Sequence, residues 1–213
     1  MKTIASRCRP TSRQAGENLF LEGDPCRDLY ILVAGRVKCF RASPEGREQI
    51  LKIFEHPGDM FCTTSAFNTG SHIVTGGDER RQALPHPRQT IKRVALEEPA
   101  MALALVTAAG DQMRSLVSLA DDLSLKTATA RVAKLLWERA RSEGGRDRNA
   151  IRLRRAELRE DEIAAMVGTV RVHVSRSLKA LATMGVITLD RDTICISDSR
   201  ALEGFVHALE HQS

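Results

Sequence analysis

Arg171, Ser175, Arg176 and Lys179 are spaced so that one side of a helix carries all four. Their chemistry suits a nucleic acid. A guanidinium can contact guanine bidentately, and serine and lysine suit phosphate. Val172 lies among them and offers only apolar contact, for which a thymine methyl is the natural partner. Thr169, just ahead of the run, joins the candidate DNA-binding set. No nucleophile–base set, phosphate loop or carboxylate cluster accompanies them, so the chain reads as a binding protein and not as an enzyme.

These side chains need a helix, yet "VRVHV" (170–174) alternates like a strand. A wider window settles the conflict. Apolar residues fall at Ile163, Val167, Val170, Val174, Leu178 and Leu181, in steps of 4, 3, 4, 4 and 3, which is a helical period. Gly168 interrupts it where a tight turn needs a positive φ. Ala164 is small enough for two helices to cross closely. The expectation is a helix-turn-helix whose second helix runs from about Val170 to Met184. Val170, Val174, Leu178 and Leu181 then face inward, and Arg171, Val172, Ser175, Arg176 and Lys179 face outward. "GVITL" and "TICIS" around Asp190-Arg191-Asp192 predict a hairpin wing.

Upstream, Glu97-Glu98-Pro99 opens a long helix. Ala102, Val106, Ala109, Met113, Leu116, Ala120 and Leu123 recur at 4, 3, 4, 3, 4, 3. A stripe that narrow favours a partner helix over the chain's own core, and so predicts homodimerisation through this seam. Thr127 is a candidate N-cap for the next helix, "ATARVAKLLWERARS". Residues 17–75 carry short β-branched runs separated by turns at Ala34-Gly35, Glu45-Gly46 and Pro57-Gly58-Asp59, the pattern of a sandwich or barrel. Gly76 to Thr90, charged and with two prolines, reads as a loop that leaves one sheet edge disordered.

The chain has 213 residues, 42% of them hydrophobic, and a formal charge of +5 from 32 basic and 27 acidic residues. That balance permits an anionic partner without requiring one. The five cysteines, at 8, 26, 39, 62 and 195, are odd in number and include no C-x-x-C. They argue against a disulfide framework and for a reducing cytoplasm. The N-terminus lacks the apolar segment of a secretory signal, and the longest apolar run (100–109) is too short to span a bilayer.

The ordered series of motifs resembles the CRP/FNR family of bacterial transcription regulators over nearly the full length. The matches are "FLEGD" (20–24), "LYILVAGRVK" (29–38), "EGRE" (45–48), "PGDMF" (57–61), "ARVAKLL" (130–136), "EIAAMVG" (162–168) and "VSRSLKALATMGVI" (174–187). The resemblance implies an α+β protein in three parts. An antiparallel, jelly-roll-like β-roll sensor would occupy 1–98, a dimerisation helix and hinge 99–126, and a winged helix-turn-helix 127–213. It implies a cytoplasmic homodimer that binds near-palindromic double-stranded DNA, works with RNA polymerase and responds to a signal at the β-roll. An effector pocket would involve Gly58, Asp59, Met60, Phe61 and Cys62.

Departures qualify what is sensed. Cyclic-AMP-binding members have a Glu in the turn after Pro-Gly, where Asp59 stands, and an Arg-Ser pair beyond it. "NTGSHIV" (68–74) holds no Arg, which argues against cyclic AMP. Cys8 and Cys26 do not match the clustered cysteines of iron–sulfur members. Cys62 stands where the family's carbon-monoxide sensors place a haem-ligating Cys, but Thr64 replaces their His. A solitary Cys there also reads as a small buried hydrophobe. The effector is thus left unknown, with haem kept open through Cys62. Val172 replaces a commonly acidic, cytosine-reading residue, so the target site should differ from the common half-site. It also leaves a rival reading, a haem or small-molecule sensor that acts on a protein partner and has lost specific DNA binding. Arg159 replaces a capping Ser or Thr, and Ser177 an apolar residue; each costs about 1 kcal/mol.

Overall fold

The computed structural model describes residues 11–12, 18–63, 71–72, 74–77, 82–142, 151–197, 202–204 and 206. The chain divides into two compact units, residues 1–117 and 118–213.

The first unit is a two-sheet antiparallel roll followed by helices. Its strands are β1 (Thr11–Ser12), β2 (Asn18–Phe20), β3 (Asp28–Ala34), β4 (Val37–Ala42), β5 (Glu48–Phe54), β6 (Met60–Phe61), β7 (Thr75–Gly77) and β8 (Gln82–Pro87). One sheet has the order β1-β8-β3-β6 and the other β2-β7-β4-β5. The turn glycines expected from sequence bend the chain, with φ of 88° at Gly35, 81° at Gly46 and 96° at Gly58. Alternate residues of the strands turn inward, so Phe20, Leu32, Val37, Cys39, Phe54, Phe61 and Ala83 form one core. Burial pushes the Cys39 thiol up to about 12, so it stays protonated and acts as a small apolar side chain.

The loop expected over Gly76 to Thr90 is corrected wherever the structure describes it. Thr75–Gly77 pair with β2 and β4, Gln82–Pro87 pair with β3, and α1 (Arg88–Glu97) starts at once. Two prolines made this stretch look irregular. Pro85 and Pro87 pair with Tyr30 and Asp28 on one side, while β1 reaches only Gln82 and Ala83 on the other. Residues 78–81 lie outside the described ones.

The long helix α2 spans Pro99–Leu125. Leu105 turns inward and packs with Leu29 and Ile91. Of the expected seam, Ala102 is partly covered, and Val106, Ala109, Met113, Leu116, Ala120 and Leu123 are exposed.

The second unit holds α3 (Ala128–Ser142), α4 (Glu160–Val167) and α5 (Arg171–Thr183), with a sheet in the order β10-β11-β9. Its strands are β9 (Ile151–Arg154), β10 (Ile187–Leu189) and β11 (Thr193–Ile196). Thr127 caps α3, its Oγ1 accepting from the Ala130 N–H at 3.3 Å. Leu136, Leu153, Ile163, Val174, Leu178, Leu181, Ile187 and Ile194 meet in one core. Leu202 and Val206 join it.

Candidate DNA-reading helix and β-roll site

The turn between α4 and α5 follows from three residues. Gly168 is left-handed, with φ 64° and ψ 48°, and its N–H returns to the Ala164 carbonyl. The Thr169 N–H reaches the same carbonyl at 3.0 Å. Val170 is extended and forms the N-cap of α5. Here one expectation is corrected: Val170 is 39% exposed instead of facing inward. It stands outside the helix, so the helical period does not govern its direction. Val174, Ser177, Leu178 and Leu181 are the buried residues of α5.

The opposite face of α5 is open. Arg171, Val172, Arg176 and Lys179 are exposed, and Thr169 and Ser175 are partly so. Val172, at 57% exposure, presents its methyls outward. Arg171 lies against the acidic start of α4, with Nε 3.5 Å from Glu160 and Nη1 3.9 Å from Asp161. Glu160 also receives a hydrogen bond from Arg155 at 3.0 Å. Exposed pairs of this kind are worth at most about 1 kcal/mol, so they orient Arg171 without withholding it from a stronger anion. Thr169 Oγ1 lies 3.2 Å from His173 Nδ1.

Two residues that the sequence marked as unusual behave differently from each other. Arg159 sits at the N-cap of α4 and makes no side-chain cap hydrogen bond. Ser177 is buried, but its hydroxyl meets Thr129 Oγ1 at 3.0 Å, which offsets much of the cost of placing it there. A third residue escaped the sequence reading. Arg131 donates from Nε to the Val167 carbonyl (2.7 Å) and from Nη1 to that of Lys126 (2.7 Å), with longer bonds to Asp122 and Gly168 at 3.4 Å each. One guanidinium therefore joins the end of α2 to the end of α4. Burial lowers its pKa, and Asp122 opposes that shift.

In the β-roll the five candidate pocket residues do not converge. Asp59 turns back on its own turn, accepting from the Glu55 and His56 N–H groups at 3.0 Å each. Gly58, Asp59 and Met60 line an open groove of about 860 Å³ with residues of β5 and α2. Phe61 is buried in the core and stacks on Tyr30 at 5.2 Å between ring centroids. Cys62 is left-handed (φ 57°) and faces elsewhere, with its sulfur 3.5 Å from His72 Nδ1.

The fit of two effectors can be tested here. A cyclic nucleotide needs a cation for its phosphate. On the stretch 68–74 the cationic candidate is His72, which burial drives toward the neutral form. For haem, Cys62 would have to face an open, planar space. Its thiol instead lies against Cys26 and His72, and the groove beside Met60 is lined by other residues. The described residues therefore do not form a haem pocket around Cys62.

Comparison with known proteins covers both halves. Residues 10–76 match the family model of the cyclic nucleotide-binding domain, and residues 130–205 that of the Crp-like helix-turn-helix domain. A CRP-like cAMP-activated global transcriptional regulator of Mycobacterium tuberculosis is 31% identical, over 93% of this chain and 88% of that one. The cyclic AMP receptor protein of Thermus thermophilus is 29% identical, over 91% and 86%. Among solved structures, a variant of CooA from Carboxydothermus hydrogenoformans superposes with a TM-score of 0.80 at 26% identity, covering 97% of this chain and 90% of that one.

Proposed function

Because the chain belongs to the CRP/FNR family of DNA-binding transcription regulators, we propose that it acts as a homodimer reading a near-palindromic operator through α5. The reading rests on one observation above the rest, the open face of α5. Arg171, Val172, Ser175, Arg176 and Lys179 share it, on a helix whose other face is locked into a core. Arg171 and Val172 read bases near the N-terminal end of α5. Ser175, Arg176 and Lys179 follow the groove, and Thr169 meets the backbone beside them.

The dimer forms along the apolar stripe of α2. Val106 and Met113 are 66% and 68% exposed in the protomer, and a second copy of the helix covers them by seam packing. Two copies of α5 then meet half-sites about one helical turn apart, about 34 Å. A signal at the β-roll shifts this pair between states through the hinge at Leu125 to Thr127, and it acts only if it binds the two states differently. The protein works in the cytoplasm, with RNA polymerase as the further partner. No described helix is long and apolar enough to cross a membrane.

The direct test is selection from random duplexes followed by gel shift. Enrichment of an inverted repeat supports the reading. Equal affinity for all duplexes supports the rival, a sensor acting on a protein partner.

A further inference from the structure

The β-roll brings together a second constellation that the motif series does not mark. Cys26, Cys62 and His72 come from three separate segments, and one donor atom of each lies within 4.8 Å of the others. We propose that these three side chains bind one Zn2+ ion through two sulfurs and one imidazole nitrogen.

Geometry carries the proposal. Zinc bonds of about 2.3 Å to sulfur and 2.0–2.1 Å to nitrogen, at tetrahedral angles, put neighbouring ligand atoms about 3.5–3.8 Å apart. The Cys62 sulfur and His72 Nδ1 are 3.5 Å apart. Three donors leave a fourth position for water or a small ligand, as in sites that exchange what they bind.

The backbone holds the three segments in place. The Gly23 N–H donates to the His72 carbonyl and the His72 N–H to the Asp24 carbonyl, each at 2.8 Å. Pro25 bridges Ser71. This clamp sets Cys26 beside His72. Cys62 adopts a left-handed φ of 57° directly after β6, a conformation that costs a non-glycine residue energy and is associated with functional positions. The His72 ring stacks flat on Phe20, 3.9 Å between centroids and 11° between planes. Gly76 leaves room for that ring, since a Cβ there would come within 2.5 Å of Phe20.

The surroundings suit a cation. Cys26 and His72 are almost fully buried. Burial favours the neutral imidazole, the form that binds metal, while Asp24 and Asp28 add negative potential.

The site has a mechanical neighbour. Thr63, next to Cys62, donates to Gln112 Oε1 on α2 at 3.1 Å, and Gln112 donates back to the Met60 carbonyl at 2.9 Å. Occupancy that shifts Cys62 therefore moves groups bonded to α2, one residue from the seam residue Met113. This coupling, unlike the site itself, rests on the proposed function.

Reduced, metal-free full-length protein is titrated with Co2+ and then with Zn2+. One Co2+ per protomer, with thiolate-to-cobalt charge-transfer absorption and tetrahedral d–d bands that Zn2+ erases, is expected. Cys26→Ser and Cys62→Ser abolish the charge transfer, and His72→Gln weakens binding about tenfold or more. Cys39→Ser and Cys195→Ser leave the spectrum intact. X-ray absorption of the Zn2+-loaded wild type needs no variant and should give two sulfurs at about 2.3 Å with lighter ligands at about 2.0 Å. Absent Co2+ absorption, a spectrum that survives loss of both Cys26 and Cys62, or a shell of four sulfurs overturns the site. So does a wild type that only closes a Cys26–Cys62 disulfide in air and takes no metal when reduced. Operator affinity that changes about fivefold or more on loading supports the coupling; unchanged affinity overturns the coupling alone. Protein that binds Co2+ but no operator points to failure of the proposed function and leaves the metal site standing.

Discussion

Replacing Arg131 by Met should loosen the second unit by about 1.5–3 kcal/mol. Two of its hydrogen bonds are short, to the Val167 and Lys126 carbonyls at 2.7 Å, and two are long, at 3.4 Å. A hydrogen bond from a charged donor contributes about 1.5–3 kcal/mol, so the short pair accounts for about 3–6 and the long pair for little. The site is only partly buried, and the abandoned carbonyls at the helix ends regain water, which about halves that sum. Met keeps most of the packing of the aliphatic stem. The chain has one tryptophan, Trp137 on α3, and it packs against the core of the second unit. Its fluorescence during urea unfolding of the full-length protein therefore reports the unit in question. The midpoint should fall with little change in slope, and the thermal midpoint by about 10–20 °C. Arg131→Lys should recover less than half, since an ammonium cannot span both helix ends at once. A loss below about 0.5 kcal/mol in the Met variant would show that Arg131 does not hold these ends together.

Other expectations divide among the sites. Lys179→Ala should weaken all duplexes evenly and reduce the salt slope by about one, whereas Arg171→Ala should cost about 1–3 kcal/mol on the selected operator and relax preference at one position; titrations at several salt concentrations separate the two. Val172→Glu should move the selected half-site toward cytosine, read by repeating the selection. Met113→Asp places a charge on the seam of α2 and should yield monomers in sedimentation equilibrium while the far-ultraviolet circular dichroism stays unchanged. Gly76→Ala forces the Phe20 ring aside and should cost about 1–3 kcal/mol, with a broadened or lost Co2+ spectrum as the accompanying sign.

What could be read in the sequence followed the range of the interactions involved. The turn at Gly168, the inward Val174, Leu178 and Leu181 and the cap at Thr127 depend on residues three to six positions apart, and each stands in the sequence as a pattern. Val170 departs from its expected direction because it obeys the helical period while lying just outside the helix. Gln82–Pro87 departs from the loop reading because its pairing with Asp28–Ala34 joins residues far apart in the chain, and strand pairing is not a local property. Arg131 reaches carbonyls 36 and 37 residues away, and carbonyls carry no sequence signature. Cys26, Cys62 and His72 lie 36 and 10 residues apart in the chain; the Pro25–Ser71 bridge and the pairing of β6 with β3 bring their segments together. The odd cysteine count argues against a disulfide framework, but it cannot show which thiols become neighbours.

The central claim is that two copies of α5 read one operator. Hydroxyl-radical footprinting of the selected duplex tests it most directly. Two protected segments related by a dyad and separated by about one helical turn, about 10 base pairs, are the result expected, with both lost in the seam variant Met113→Asp. A single protected segment, or protection that neither follows the selected sequence nor depends on Met113, would contradict it.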